Sequence, residues 1–502
     1  MGFLLFLCFS IIISLSSGAD TISANQSLTG DETIVSKGGN FELGFFKAGN
    51  SSNYYIGIWY KKLPSNPPIV WVANRETPIS DRFSSALKIK DGNLVLLNES
   101  NIPVWSTNMI STYMPASAAL LDDGNLVLRN GSSSSPPIWQ SFDHPTHTFL
   151  PGSKLGYNKR TNTMQVITSW RNEDDPAPGL YSLEIAQERK EYVLKWNKTV
   201  EYWASGPWNG RYFSSIPAMG VPYIFNFSYI DNANESYFTY SFFDSSVVSR
   251  LVMDVSGQIQ QLTWDDSSKK WFLFWSQPRQ ICDIYATCGT FSVCNPQIAP
   301  FCNCLTGFEP TSQSDWNLGE FSGGCVRKTK LSCRLQEEKT EFISSYVPVK
   351  FLPTFQENKV SSFDESACRR SCLDDCSCDG YSFISNTCHL WNNENLNNVS
   401  LVFVLDDSSV EKFDLNIKVA AKDLQSPIKN IHKKNDKVIL GAVVGSFAGV
   451  VDVSMPPIPQ SVKSFIDDSE DAPFFNVSSS MFDESSSTDS SHVQSNSFSG
   501  DS

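Results

Sequence analysis

Asp91-Gly92-Asn93-Leu94-Val95-Leu96 returns later in the chain as Asp123-Gly124-Asn125-Leu126-Val127-Leu128. Asp-Gly is a turn signal, and the Leu-Val-Leu behind it is a short apolar run of strand length, so each copy reads as a strand opened by a tight turn. Around these copies Trp71, Trp105 and Trp139 recur at intervals of 34 residues, preceded by Ile69-Val70, Pro103-Val104 and Pro137-Ile138. That period is also the one of helical tetratricopeptide arrays, but the turn signals and short apolar runs favour strands. Each unit is too small to bury its own apolar face. Three of them are therefore predicted to close around a shared core of tryptophans with pseudo-threefold symmetry, the geometry of a β-prism.

At 502 residues the chain is too long for a single hydrophobic core, and several domains are expected. Hydrophobic residues at 41% and aromatics at 13%, against 18% charged, describe a chain that folds over most of its length. The net charge of -14 repels phosphates, and no Lys/Arg cluster interleaved with aromatics precedes residue 418, so nucleic acid is not an expected partner.

Residues 1–19 read as a signal peptide: an apolar run from Phe3 to Leu15, then Ser16, Ser17, Gly18 and Ala19, the small residues of a cleavage site. Beyond Cys8, twelve cysteines lie between Cys282 and Cys388. In an oxidising compartment an even set reads as six disulfides. Zinc at Cys302-x-Cys304 and Cys376-x-Cys378 is the rival reading, disfavoured behind a signal peptide; neither metal nor other cofactor is expected. Glycosylation sequons stand at Asn25, Asn50, Asn98, Asn130, Asn197, Asn226, Asn234 and Asn398.

Residues 151–277 carry alternating stretches such as Tyr237-Phe238-Thr239-Tyr240-Ser241-Phe242, the pattern of half-buried antiparallel strands. The cysteine-rich stretch from Cys282 is loop-like and needs staples. Ser362-Phe363-Asp364-Glu365 reads as a capping box ahead of Cys368, Cys372 and Cys376, whose spacing of four places them on one face of a helix. Asp379-Gly380 reads as a turn before the strand-like Tyr381-Ser382-Phe383-Ile384.

The stretches Gly38-Gly39-Asn40-Phe41-Glu42-Leu43-Gly44-Phe45-Phe46, Tyr55-Ile56-Gly57-Ile58-Trp59-Tyr60 and Val70-Trp71-Val72-Ala73-Asn74-Arg75 resemble the bulb-type lectin domain of plant S-locus glycoproteins and S-domain receptor-like kinases. Trp139-Gln140-Ser141-Phe142-Asp143-His144-Pro145-Thr146, Ser169-Trp170-Arg171 and Gly206-Pro207-Trp208-Asn209-Gly210 extend the likeness, which covers residues 20–440. The resemblance implies a mainly β, multidomain chain. It comprises a β-prism bulb-type lectin domain (20–150), a second β-rich S-locus glycoprotein domain (151–277), a small disulfide-rich EGF-like module (278–332) and an α+β PAN/apple module (333–417). It pairs Cys282 with Cys294, Cys288 with Cys302, Cys304 with Cys325, Cys368 with Cys388 and Cys372 with Cys378, which leaves Cys333 for Cys376; the sequence alone fixes none of these pairings.

In this family a membrane helix and a cytoplasmic serine/threonine kinase usually follow. Here residues 418–451 hold a basic juxtamembrane stretch and an apolar run, Val438 to Val451, short of the roughly 20 residues that cross a bilayer, and read as a truncated transmembrane segment. Residues 452–502, rich in Ser and Asp with Lys463 as the single Lys or Arg, are expected to be a disordered tail without kinase motifs.

Bulb-type lectins hold mannose with Gln-x-Asp-x-Asn-x-Val-x-Tyr. The resemblance makes Asp91, Asn93 and Val95, and again Asp123, Asn125 and Val127, candidate carbohydrate-binding residues. Both copies are degenerate: Ile89 and Leu121 stand at the Gln positions, and Leu97 and Arg129 at the Tyr positions. The alternative is that Asp-Gly-Asn is a hairpin turn and nothing more. His144 and His147 are read as loop histidines, the family having Asp near position 147, and the acid pairs Asp174-Asp175 and Asp265-Asp266 as solvated turns. No catalytic residue is assigned. The expected protein is a non-catalytic, extracellular recognition glycoprotein of the secretory pathway, secreted to the apoplast or associated with the plasma membrane. Its expected ligand is a small secreted peptide or a carbohydrate, and it is expected to form a homodimer or to pair with a full-length S-domain receptor kinase. The alternative is a truncated fragment of a receptor serine/threonine kinase.

Overall fold

The computed structural model describes residues 19–63, 68–110, 116–131, 135–220, 224–244, 246–331, 340–351, 358–360, 364–392, 399–402 and 412–424. The expected signal peptide, the Val438–Val451 run and the Ser/Asp-rich tail lie outside them, as do Cys333 and Asn398.

The first unit consists of three four-stranded antiparallel sheets. One contains Thr33–Val35, Phe41–Phe46, Tyr55–Tyr60 and Ile69–Val72. The next contains Ser27–Leu28, Ala86–Lys90, Asn93–Leu97 and Pro103–Ser106. The last contains Thr21–Ser23, Ala116–Leu120, Leu126–Asn130 and Trp139–Gln140. The three share one register: Ile58 pairs with Trp71, Leu96 with Trp105 and Leu128 with Trp139. That register brings the tryptophans together on the pseudo-threefold axis, with ring centroids 5.8, 6.1 and 5.9 Å apart and every pair edge to face. Such contacts add about 0.5–1.5 kcal/mol each beyond area burial. Leu43, Ile58, Leu87, Leu94, Leu96 and Leu128 are fully buried beneath them. Asp91 and Gly92 both take positive φ (50° and 76°), the turn that matches strand twist in a two-residue hairpin.

Residues 148–277 form a second unit, again of three four-stranded antiparallel sheets. Within the strand Glu235–Phe242 the alternation is as the sequence reads it, with Ser236, Phe238 and Tyr240 buried and Ser241 exposed. Phe238 and Tyr240 meet Phe149, Tyr192 and Phe225 in an aromatic core. The second unit takes in Thr148–Phe149, which already pairs with Val252 and Leu251.

Beyond it, disulfides join Cys282 to Cys294, Cys288 to Cys302 and Cys304 to Cys325; the first two, with Phe321, make up a small core, while Cys325 packs with Phe291, Phe308 and Trp391 in the next. The hairpin of Ser292–Cys294 and Cys302–Cys304 continues through Val399–Val402 into the sheet of the last module. There Cys368 is joined to Cys388 and Cys372 to Cys378.

Three local expectations change in this module. The helix Glu365–Asp374 is capped by Asp364, whose carboxylate accepts from the Ala367 N–H at 2.7 Å, and not by Ser362, which lies outside the described residues. The helix ends at Asp375, so Cys368 and Cys372 share its buried face while Cys376, also in a disulfide, falls beyond it. Gly380 is already in a strand, paired with Trp391 and Ile417. The turn comes at Ser385-Asn386, where both residues have positive φ.

Candidate functional site

The shared register makes Asn53, Asp91 and Asp123 equivalent positions, and likewise Tyr55, Asn93 and Asn125. Three backbone bonds repeat the equivalence. The Ile56 N–H donates to Asn74 Oδ1 (2.8 Å), that of Leu94 to Thr107 Oγ1 (3.2 Å) and that of Leu126 to Ser141 Oγ (2.9 Å).

In both Asp-Gly-Asn copies the Asn amide is committed to the fold. Asn93 Oδ1 accepts from the Met109 N–H (2.6 Å) and Thr107 Oγ1 (2.8 Å), and its Nδ2 donates to the Met109 carbonyl (3.1 Å). Asn125, 5% exposed, accepts from Ser141 Oγ and the Phe142 N–H, both at 3.2 Å, and donates to Gln140 Oε1 (3.0 Å). Asp123 accepts from the Asn125 N–H at 2.9 Å, and Val95 and Val127 are buried. The exposed Asp91 carboxylate remains open to solvent. These two amides therefore position the strand that follows each turn and offer little to a ligand.

The first repeat differs. Its tight turn is replaced by the loop between Phe46 and Tyr55, which reaches the second unit: the Asn50 N–H donates to Asp174 Oδ1 at 2.9 Å. Gly49, at φ +46°, has Asp174 Oδ1 only 1.6 Å from where a Cβ would stand, so a larger residue there is strained and must displace the Asp174 carboxylate.

Arg75 closes the same junction. Its Nε donates to the Pro176 carbonyl (2.6 Å), and a terminal nitrogen donates to those of Ser169 (2.7 Å) and Thr168 (3.2 Å). Burial pushes its guanidinium down to about 10, still fully charged at neutral pH. Deeper in, Tyr60 of the first unit packs on Trp271 of the second, over which lies the Arg250 guanidinium (4.7 Å), also pushed down to about 10 by burial. His147, 7% exposed, packs on Trp170 at 5.0 Å. Burial, then the charges of Arg75 and Arg250, push its pKa well below the usual histidine value. His144 instead stacks on Trp139 at 5.3 Å.

At the mouth of this junction is a cleft of about 440 Å³ lined by Asn53, Tyr55, Glu76, Pro78, Arg171, Asp175 and Pro178, with Arg75 at its base. Arg171 and Asp175 form an ion pair at 2.8 Å. Nothing in the sequence joins these segments, since Arg75 and Pro176 are 101 residues apart and the acceptors are backbone carbonyls. Only Val72-Ala73-Asn74-Arg75, as part of a quoted motif, marks one side. Asp265 and Asp266 bond to Ser267 and Lys269 within their own turn. Of the sequon residues, Asn25, Asn50, Asn197, Asn226 and Asn234 are exposed, while Asn98 and Asn130 are half-buried.

Three family models match the chain: D-mannose binding lectin over residues 68–171, S-locus glycoprotein domain over 203–312 and PAN-like domain over 333–399. An S-locus-specific glycoprotein of Brassica oleracea is 37% identical over 389 residues, 76% of this chain and 88% of that protein. The chain belongs to the S-locus glycoprotein family. A G-type lectin S-receptor-like serine/threonine-protein kinase of Arabidopsis thaliana is 45% identical over 89% of this chain and 53% of its own length, and a second receptor-like kinase of that plant is 37% identical over 86% and 50%. The chain thus spans about half the length of these receptor kinases, and their kinase part lies outside the aligned region. The matched modules are those of an extracellular recognition glycoprotein, and among the described residues no helix is long and apolar enough to cross a membrane.

Proposed function

We propose that this member of the S-locus glycoprotein family recognises a small secreted peptide or a carbohydrate outside the plasma membrane, and relays that binding by pairing with itself or with a full-length receptor kinase of the family. The observation that carries this reading is the junction. Arg75, Tyr60 and Asn50 lock the lectin unit to the second unit as one platform, while the lectin turns have their amides committed internally. Recognition then falls to composite surfaces between modules and not to the separate sugar turns. The kinase relatives make a receptor partner of the same architecture the natural one.

The experiment co-expresses the tagged chain with a full-length family receptor kinase in leaf cells. Recovery of the two together from the cell surface, with receptor phosphorylation altered by the chain, is the expected result. Unchanged phosphorylation with no co-recovery contradicts the pairing.

A second reading, a piece of a receptor serine/threonine kinase, is favoured by the half-length alignment. Sequencing the transcript across the codons for Gly449 to Met455 decides it, because an intact kinase frame there would establish this second reading.

A further inference from the structure

Arg327 joins the cysteine-rich segment that begins at Cys282 to the PAN-like module. Its Nε donates to the Lys418 carbonyl at 3.0 Å, a terminal nitrogen pairs with Asp379 at 2.9 Å, and its guanidinium lies 4.8 Å over Phe291 and 5.3 Å over Phe308. Beside this staple is an open cleft of about 520 Å³, lined by Phe291 and Val326 from the cysteine-rich segment and by Leu373, Asp379 and Lys418 from the PAN-like module. Lys330 stands exposed at its rim. We propose that this cleft is a binding site for an organic carboxylate carried on an aromatic or branched apolar group, either a free acid or the C-terminal end of a peptide; this rests on the recognition reading above and gives it a second surface between modules.

The charges select an anion. Arg327 is offset by Asp379, but among the described residues neither Lys330 nor Lys418 has a carboxylate within ion-pair distance. The lining therefore keeps two uncancelled positive charges, in a chain whose net charge is -14. Lys418 is 6% exposed, and its Nζ donates to the Asp375 carbonyl at 2.9 Å, just past the helix Glu365–Asp374. An ammonium has three N–H groups, which leaves two for an acceptor in the cleft. Burial pushes its pKa below the ordinary lysine value, against the opposing pull of Asp375 and Asp379. An incoming anion relieves that cost.

The apolar walls select what the anion is attached to. Phe291 stacks on Phe308 at 4.6 Å and lines the cleft with Val326 and Leu373, and Val326 is 44% exposed. A planar ring or a branched side chain covers these surfaces while its carboxylate meets the two ammonium groups, and the cleft volume falls within the range of small-ligand sites. The rival role for Lys418 is to cap the end of the helix and nothing more.

The test titrates the purified full chain, by calorimetry and saturation-transfer NMR, with phenylpropanoate and with the peptide Ser-Gly-Ala-Phe, each beside its amide, and with inorganic phosphate. The expected result is saturable binding of at least one carboxylate, weakened on the order of tenfold by amidation and by Lys330→Ala. It should change less than about twofold in Lys328→Ala, an exposed lysine outside the cleft. Lys418→Met is expected to abolish it. Whichever of the free acid and the peptide binds more tightly identifies the source of the carboxylate. Binding of neither, amides that bind as well as the acids, phosphate bound equally well, or binding indifferent to Lys330 would each overturn the proposal. So would a Lys418→Met variant with a lowered melting temperature and an unchanged titration, since Lys418 would then be a helix cap only. Should that variant not fold, Lys330→Ala, at an exposed position, decides alone. No receptor enters the titration, so its failure leaves the pairing reading to the co-expression experiment.

Discussion

Arg75 Nε donates to the Pro176 carbonyl at 2.6 Å, tying the end of the first lectin sheet to the first strands of the second unit. With the Ser169 and Thr168 carbonyls as further acceptors, this one side chain bonds three backbone carbonyls across the junction. Arg75→Met keeps the packing and removes the donors. Leaving these carbonyls unpaired is expected to cost about 3 kcal/mol. The checks are thermal unfolding and new proteolytic cleavage between residues 149 and 167.

The Asn125 amide holds its sheet in place by three side-chain bonds. Asn125→Ala is therefore expected to reduce stability by about 2 kcal/mol. Denaturant titration measures this, and a variant with unaltered stability would mean that the amide is free for a ligand.

Much of this lectin unit is legible in the sequence, because a repeated turn, a repeated apolar run and a tryptophan at constant spacing all specify one register. The junction cleft is not, because its two walls meet through backbone carbonyls, which carry no residue signature, and because Asn53 and Tyr55 differ from Asp91 and Asn93 at each equivalent position. In the last module the four-residue spacing of Cys368, Cys372 and Cys376 implies one continuous helical face. A regular spacing says nothing of where a helix stops, and the chain leaves the helix at Asp375.

Trp139 is 7% exposed and touches both other axial tryptophans, whereas Trp105 is half-buried. Trp139→Ala is expected to cost about 3–5 kcal/mol, and Trp105→Ala less, since collapse and solvent access relieve part of the cavity. Urea unfolding of the two variants compares them directly.

His147 makes stability depend on pH. Its folded-state pKa is depressed by burial and by the facing guanidinium groups of Arg75 and Arg250, with Thr146 Oγ1 and the Ile69 backbone as its polar neighbours. As pH falls through the unfolded value near 6.5 the unfolded chain takes up a proton that the folded chain does not. Stability contributed by the neutral ring is thus complete above that pH and is lost below it, by at most about 1.4 kcal/mol per pH unit, until the folded pKa is reached. His147→Gln is expected to flatten this decline in melting temperature between pH 7.5 and 5 while leaving the acid loss due to carboxylates.

The most direct test of the account is where the chain goes and what is attached to it when it is expressed in plant cells. Glycopeptide mapping and glycosidase shift, applied to apoplastic washes and to protease-accessible cell-surface protein, should find it outside the plasma membrane, with glycans at the exposed Asn25, Asn50, Asn197, Asn226 and Asn234 and with disulfide-linked peptides such as Cys282–Cys294. A chain recovered in the cytosol, unshifted by glycosidase and with free thiols, would contradict extracellular recognition as its role.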